Sequence, residues 1–109
     1  MITVKVFRDG KAILGLDISG HSDYRPRGSD IVCAAVSALG QTAVLALKEV
    51  AGIDADFICR DGHLQCLLPH ELDPGSFATA QLIFRTILSG IENIARHYAR
   101  HVKLTDEEV

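Results

Sequence analysis

The sequence predicts an α+β domain of two layers, a ββαββα chain whose antiparallel sheet carries both helices packed on one face. Three observations predict it. Two stretches alternate apolar and polar residues, each about an Asp-Gly pair, an alanine-rich apolar stretch follows the first pair of strands, and a stretch with helical apolar spacing follows the second. Runs of antiparallel strands with helices gathered on one face make up this class.

The first hairpin is predicted over residues 2–8 and 11–19, with Asp9-Gly10 supplying the positive φ of a tight turn. Residues 20–30 then form a polar loop holding Arg25, Pro26, Arg27 and Gly28, longer than most connections inside a compact domain. Such loops often carry function. Ser29 or Asp30 is placed to cap a helix over residues 31–50, which Gly52 ends. A second hairpin is predicted over residues 54–60 and 63–68 around Asp61-Gly62. Asp73-Pro74 opens a second helix, a capping side chain followed by a residue with no amide to leave unsatisfied. Its apolar face is Phe77, Ala80, Phe84, Ile87, Leu88, Ile91, Ala95 and Tyr98, and the pattern continues to about Arg100. Residues 1–102 are thus expected to form a single domain, and residues 103–109 an acidic tail that frays. The repeated turns hint at two ββα halves.

Composition narrows the function. Of 109 residues, 48% are hydrophobic and 23% charged, the balance of a globular domain with one core. Three cysteines are too few for a disulfide framework, so Cys33, Cys59 and Cys66 are expected to be reduced thiols in a cytoplasmic protein. A net charge of −3 argues against a duplex nucleic-acid binder, and no direct nucleic-acid partner is expected. The N-terminus alternates like a strand where an export signal is continuously apolar. The apolar run over residues 31–47 is broken by Ser37, Gly40, Gln41 and Thr42, so no membrane segment is expected.

The sharpest local features are Gly20-His21 at the head of the long loop and Asp30-Ile31-Val32-Cys33 at its foot. A thiol in the first turn of a helix sits beside unpaired amide hydrogens and the positive end of the dipole, which favours its ionised, nucleophilic form. Helical winding puts Cys33, Ser37, Gln41 and Lys48 in one sector, away from Val32, Ala35, Val36, Leu39, Ala43 and Leu47. Cys33 therefore faces a cleft or solvent. His21, twelve residues earlier, is placed to return to the thiol as general base. The plainer alternatives are a small buried hydrophobe for Cys33 and a surface loop residue for His21. His97 and His101, four apart, suggest a metal pair, but nothing joins them at ligand spacing, and cations at a helix C-terminus are the simpler account. Cys59 and Cys66 flank the second turn and are expected to pack. No metal and no cofactor is expected.

At these residues the chain resembles the ribosomal-processing cysteine protease family, Prp. The likeness rests on Gly20-His21, a loop, then Asp30-Ile31-Val32-Cys33-Ala34-Ala35-Val36-Ser37, and it extends over nearly the whole chain in length and element order. The resemblance implies a cytoplasmic, homodimeric cysteine endopeptidase. It implies as substrate the precursor of a large-subunit ribosomal protein, trimmed of an N-terminal extension that carries a phenylalanine pair. Carried over by motif position, Cys33 is the nucleophile and His21 the base, with Gly20, Asp30 and Ser37 supporting the site. No third residue that orients His21 stands out, and the loop is expected to be mobile in the free enzyme and to close on bound peptide. Residues 22–29 are the least family-like part. The competing readings are a non-catalytic, dimeric, peptide-binding ribosome-assembly module, and a thiol redox enzyme, for which no resolving cysteine is obvious.

Overall fold

The computed structural model describes residues 1–26 and 30–109. Its elements run β1 (Ile2–Asp9), β2 (Ala12–Ser19), α1 (Ile31–Glu49), β3 (Asp56–Arg60), β4 (His63–Leu67), α2 (Pro74–His97) and β5 (Val102–Glu108). The five strands lie in the order β3-β4-β2-β1-β5. The α+β class and the two-layer packing hold, with two hairpins joined through an antiparallel β2–β4 pair (Leu16 opposite Cys66, Ile18 opposite Leu64).

Two expectations need correction. The sheet is mixed rather than wholly antiparallel, because residues 103–108 do not fray: they run parallel to β1, Val102 opposite Ile2 and Leu104 opposite Val4. An edge left by β1 alone would expose unpaired backbone groups, and β5 covers it while burying Val102. The acidic side chains that suggested a tail find partners on the first hairpin. Arg8 Nε donates to Asp106 Oδ1 at 2.7 Å, and the Gly10 amide donates to Glu108 Oε1 at 2.7 Å.

The second correction concerns Cys59. It does not pack with Cys66 but is exposed, since β3 is the far edge strand and every one of its residues is exposed. Cys59 stands opposite Leu64 and Phe57 opposite Cys66, so the two cysteines are offset rather than paired.

The core lies between sheet and helices. Ile2, Val4, Val6, Leu16, Ile18, Leu64 and Cys66 meet Val32, Val36, Ala43 and Leu47 of α1 and Ala80, Phe84, Leu88 and Ile91 of α2. Each buried aliphatic or aromatic side chain contributes roughly 1.5 to 3 kcal/mol. By length and composition alone α1 is apolar enough to cross a bilayer, yet its buried stripe, Val32, Val36, Gly40, Ala43 and Leu47, is a core face. Gly40 lets the helix lie close: a Cβ there would stand 2.7 Å from Ile18 Cδ1. Near the end of β1 the β1–β2 register slips between Phe7 and Arg8, and the amide of Gln81 on α2 satisfies Ile13 of β2, accepting from its N–H at 2.7 Å and donating to its carbonyl at 2.8 Å.

Candidate active site

A cleft of about 570 Å³ opens between the N-terminal half of α1, the β3–β4 turn and the end of β2. Gly20 and His21 come to it from the end of β2, Asp30, Cys33, Ser37 and Gln41 from α1, and Cys59 to Leu64 from the second hairpin. All five residues singled out by the sequence motif line this one space. Cys33 is half-buried at the third position of α1, while Val32 and Val36 on either side of it point into the core.

Asp30 is the cap of that helix. It takes extended backbone angles (φ −84, ψ 102), and its Oδ1 accepts the Cys33 N–H at 2.9 Å. Its Oδ2 accepts the Ser22 hydroxyl and the backbone amides of Tyr24 (3.1 Å) and Arg25 (3.4 Å). Burial would raise the pKa of this carboxyl, but the Ser22 hydroxyl and the amides of Cys33, Arg25 and Tyr24 outweigh it and hold the value at about 2, below the ordinary 3.8. Asp30 is therefore a fixed anion that joins the start of α1 to the segment just after His21. Ser29, the other capping candidate, lies outside the described residues with Arg27 and Gly28.

Two glycines set the place of His21. Gly20 has φ +91, and a Cβ on it would stand 2.4 Å from the Met1 carbonyl oxygen, so only glycine fits the bend that sends the chain from β2 into the cleft. Its amide donates to the Gly62 carbonyl at 2.9 Å, tying that bend to the β3–β4 turn. Gly62, at φ +75, presents a bare Cα to the imidazole: an added Cβ would come within 3.1 Å of His21 Nε2. Among the described residues no carboxylate hydrogen-bonds the His21 ring. Asp23, the nearest in sequence, instead bonds the Met1 amino group at 3.1 Å. His63 also borders the cleft, but its Nε2 is engaged with Asp17 Oδ2 at 2.8 Å.

One turn along α1 from Cys33, Ser37 Oγ accepts from Gln41 Nε2 at 3.0 Å and so keeps its own proton to donate. Cys66, fully buried, has its thiol pushed up to about 11 by that burial, which suits packing and not chemistry. His97 and His101 do not share a helix face. The helix ends at His97, whose Nδ1 lies 2.8 Å from the Asn93 carbonyl, while His101 turns to Ser22. Among the described residues no three His, Cys, Asp or Glu side chains gather to hold a metal.

Sequence reasoning missed the support behind the loop. Ser22 is 1% exposed, its carbonyl lies 2.8 Å from His101 Nδ1, and the Tyr24 ring meets His101 and Tyr98 edge to face at 5.3 and 5.4 Å. No local pattern marks it, because the partners are 79 residues apart. The described half of the loop, residues 22–26, is thus anchored.

A family model described as cysteine protease Prp matches residues 1–103. The ribosomal processing cysteine protease Prp of Bacillus subtilis (strain 168) is 32% identical over 97 residues, 87% of each chain. Two crystal structures of an essential ribosomal processing protease Prp from S. aureus are similar in fold. The one with a covalently linked product peptide has a TM-score of 0.86 at 28% identity, and the one with a substrate peptide has 0.81 at 27%. Each similarity covers 98% of this chain and 100% of the other.

Proposed function

The chain belongs to the cysteine protease Prp family, and on that premise we propose that it is an endopeptidase that removes the N-terminal extension of a large-subunit ribosomal protein precursor, with Cys33 as nucleophile and His21 as general base. The observation that carries this is the meeting of His21 and Cys33 in one cleft, the thiol on the first turn of α1. That placement sets the thiol beside the amides of the first helical turn.

The chemistry is acyl transfer in two steps. His21 takes the thiol proton, and Cys33 Sγ bonds to the scissile carbonyl carbon. The C–N bond breaks as His21 returns the proton to the leaving amine. Water, deprotonated by His21, then attacks the thioester, and the new carboxyl end leaves as Cys33 regains its proton.

The oxyanion needs donors, and Asp30 limits which ones serve. The Cys33 amide is already committed to Asp30 Oδ1, so the Ser37 hydroxyl, which lines the cleft with its proton free, is a donor this helix offers. Removing one such donor typically costs about 3 kcal/mol in the transition state. No step requires a metal or an organic cofactor.

The same reading places the enzyme in the cytoplasm, acting on ribosomal protein as a homodimer, which sedimentation equilibrium tests. The decisive experiment incubates the chain with the matching precursor and reads product masses. A trimmed species is expected with the native chain, and none with Cys33→Ala, which should still bind the peptide because its recognition area is nearly intact. An untrimmed precursor would overturn the substrate, and cleavage by Cys33→Ala would overturn the nucleophile.

A further inference from the structure

We propose that His101, outside the cleft, is a positioning residue that holds His21 in register with Cys33 by fixing the backbone of Ser22. The inference rests on the roles proposed above for His21 and Cys33.

His101 occupies the turn between α2 and β5, and its own backbone is locked on both sides. Its N–H donates to the Tyr98 carbonyl at 2.8 Å, and its carbonyl accepts the Ile2 amide at 2.8 Å. From that fixed base the ring reaches Ser22, 79 residues away, with Nδ1 2.8 Å from the Ser22 carbonyl oxygen. A carbonyl only accepts, so Nδ1 carries a proton. The ring also meets Tyr24 edge to face at 5.3 Å, and Tyr24 rests in turn on Tyr98 at 5.4 Å.

The far side of the same segment is held by Asp30, which accepts the Ser22 hydroxyl and the Tyr24 amide. Residues 22 to 24 are therefore gripped between His101 and Tyr98 on one side and the helix cap on the other. His21 precedes that grip by one residue, and Cys33 is bonded to the same cap. Releasing the His101 side leaves Ser22 held through its hydroxyl, by Asp30 and the Tyr24 amide, and lets go of its carbonyl, so the backbone can shift and carry the imidazole with it. His101 borders a separate hollow with Tyr24, Arg96 and Arg100 and is absent from the walls of the cleft, so it acts only through Ser22 and Tyr24.

The test compares His101→Phe, which keeps a ring against Tyr24 but has no N–H, with His101→Asn, whose amide can stand where Nδ1 stood. His101→Phe should lower kcat for peptide cleavage about tenfold with KM within about twofold, and His101→Asn should recover kcat to within about threefold of the native chain. His101→Phe should also speed amide exchange at Tyr24 and Arg25. Native kcat and native exchange in His101→Phe would overturn the proposal, as would His101→Asn failing to recover kcat. Nitrogen-15 NMR of the native chain needs no variant: an Nδ1–H on His101 is expected, and an Nε2–H tautomer would overturn the proposal. If the native chain cleaves no peptide, the protease roles fall, whereas exchange and tautomer still report on the grip.

Discussion

Asp30 Oδ1 accepts the Cys33 amide at 2.9 Å while the other oxygen of the same carboxylate holds Ser22 and Tyr24, so a helix cap is also the clamp on the loop that brings His21. Asp73 caps α2 on the surface, where it accepts the Ser76 amide at 3.1 Å. The two caps differ in how much each loses when the carboxylate is removed. Asp30→Ala strands several donors and should lower the unfolding free energy by about 2 to 3 kcal/mol. Asp73→Ala should cost less. Urea midpoints of the two variants check the order, and equal losses would mean that the Ser22 side of the clamp adds nothing.

The Asp30 clamp also sets an acid limit. Its folded pKa, about 2, lies below the 3.8 expected of an unfolded carboxyl, so the unfolded chain binds the proton first. The stability this group contributes is fully present above about pH 4 and is lost as pH falls toward about 2, amounting to about 2 kcal/mol. Asp30→Asn removes the titration. Urea unfolding of both chains between pH 5 and pH 2 should show the native chain losing more, with the gap opening only below about pH 4.

The legible and illegible parts of this protein divide by range. Asp30, Asp73, Gly10 and Gly62 act on neighbours a few residues away, so their caps and turns were visible as local chemistry. The Gly20-His21 pair and the Asp30-Ile31-Val32-Cys33 run likewise mark the cleft as local sequence. Hidden were contacts made across the sheet. Residues 103–108 look like a solvated tail until β1 supplies an edge and Arg8 a counter-ion. Cys59 alternates like a core position, and only the strand order reveals that no helix lies over β3.

The three thiols should separate under alkylation. Cys66 is buried and its pKa is pushed up to about 11, so iodoacetamide should leave it unmodified in the native chain while Cys33 and Cys59, both with access to solvent, are labelled. Peptide mapping by mass spectrometry reads the pattern. Labelling of Cys66 at the rate of Cys59 would contradict the packing of β4 against the helices.

Gly62 tests the wall behind His21. An alanine there must hold φ +75 and push against His21 Nε2 from 3.1 Å. The strain should cost about 1 kcal/mol of stability, and displacement of the imidazole should lower kcat/KM about tenfold. Gly10→Ala is the control, since it has φ +60 but no heavy atom within 4 Å of the new Cβ. It should lose similar stability and keep its activity. Matching losses of activity in both variants would show that turn strain alone is responsible.

The fifth strand gives the last test. Deleting residues 103–109 removes the parallel ladder on β1, the partly buried Leu104 and the partners of Arg8 and Gly10. A frayed tail could be removed with no change, but loss of an edge strand should lower the thermal midpoint by several degrees, about 4 to 8 °C per kcal/mol in a chain this size. Because His101 directly precedes Val102, the first residue of β5, the truncated chain should also loosen the His101 contact to Ser22. Amide exchange at Tyr24 should therefore rise along with that at the β1 residues Ile2 to Val6. A midpoint unchanged from the full chain would mean that residues 103–109 add no stability, whatever strand they form.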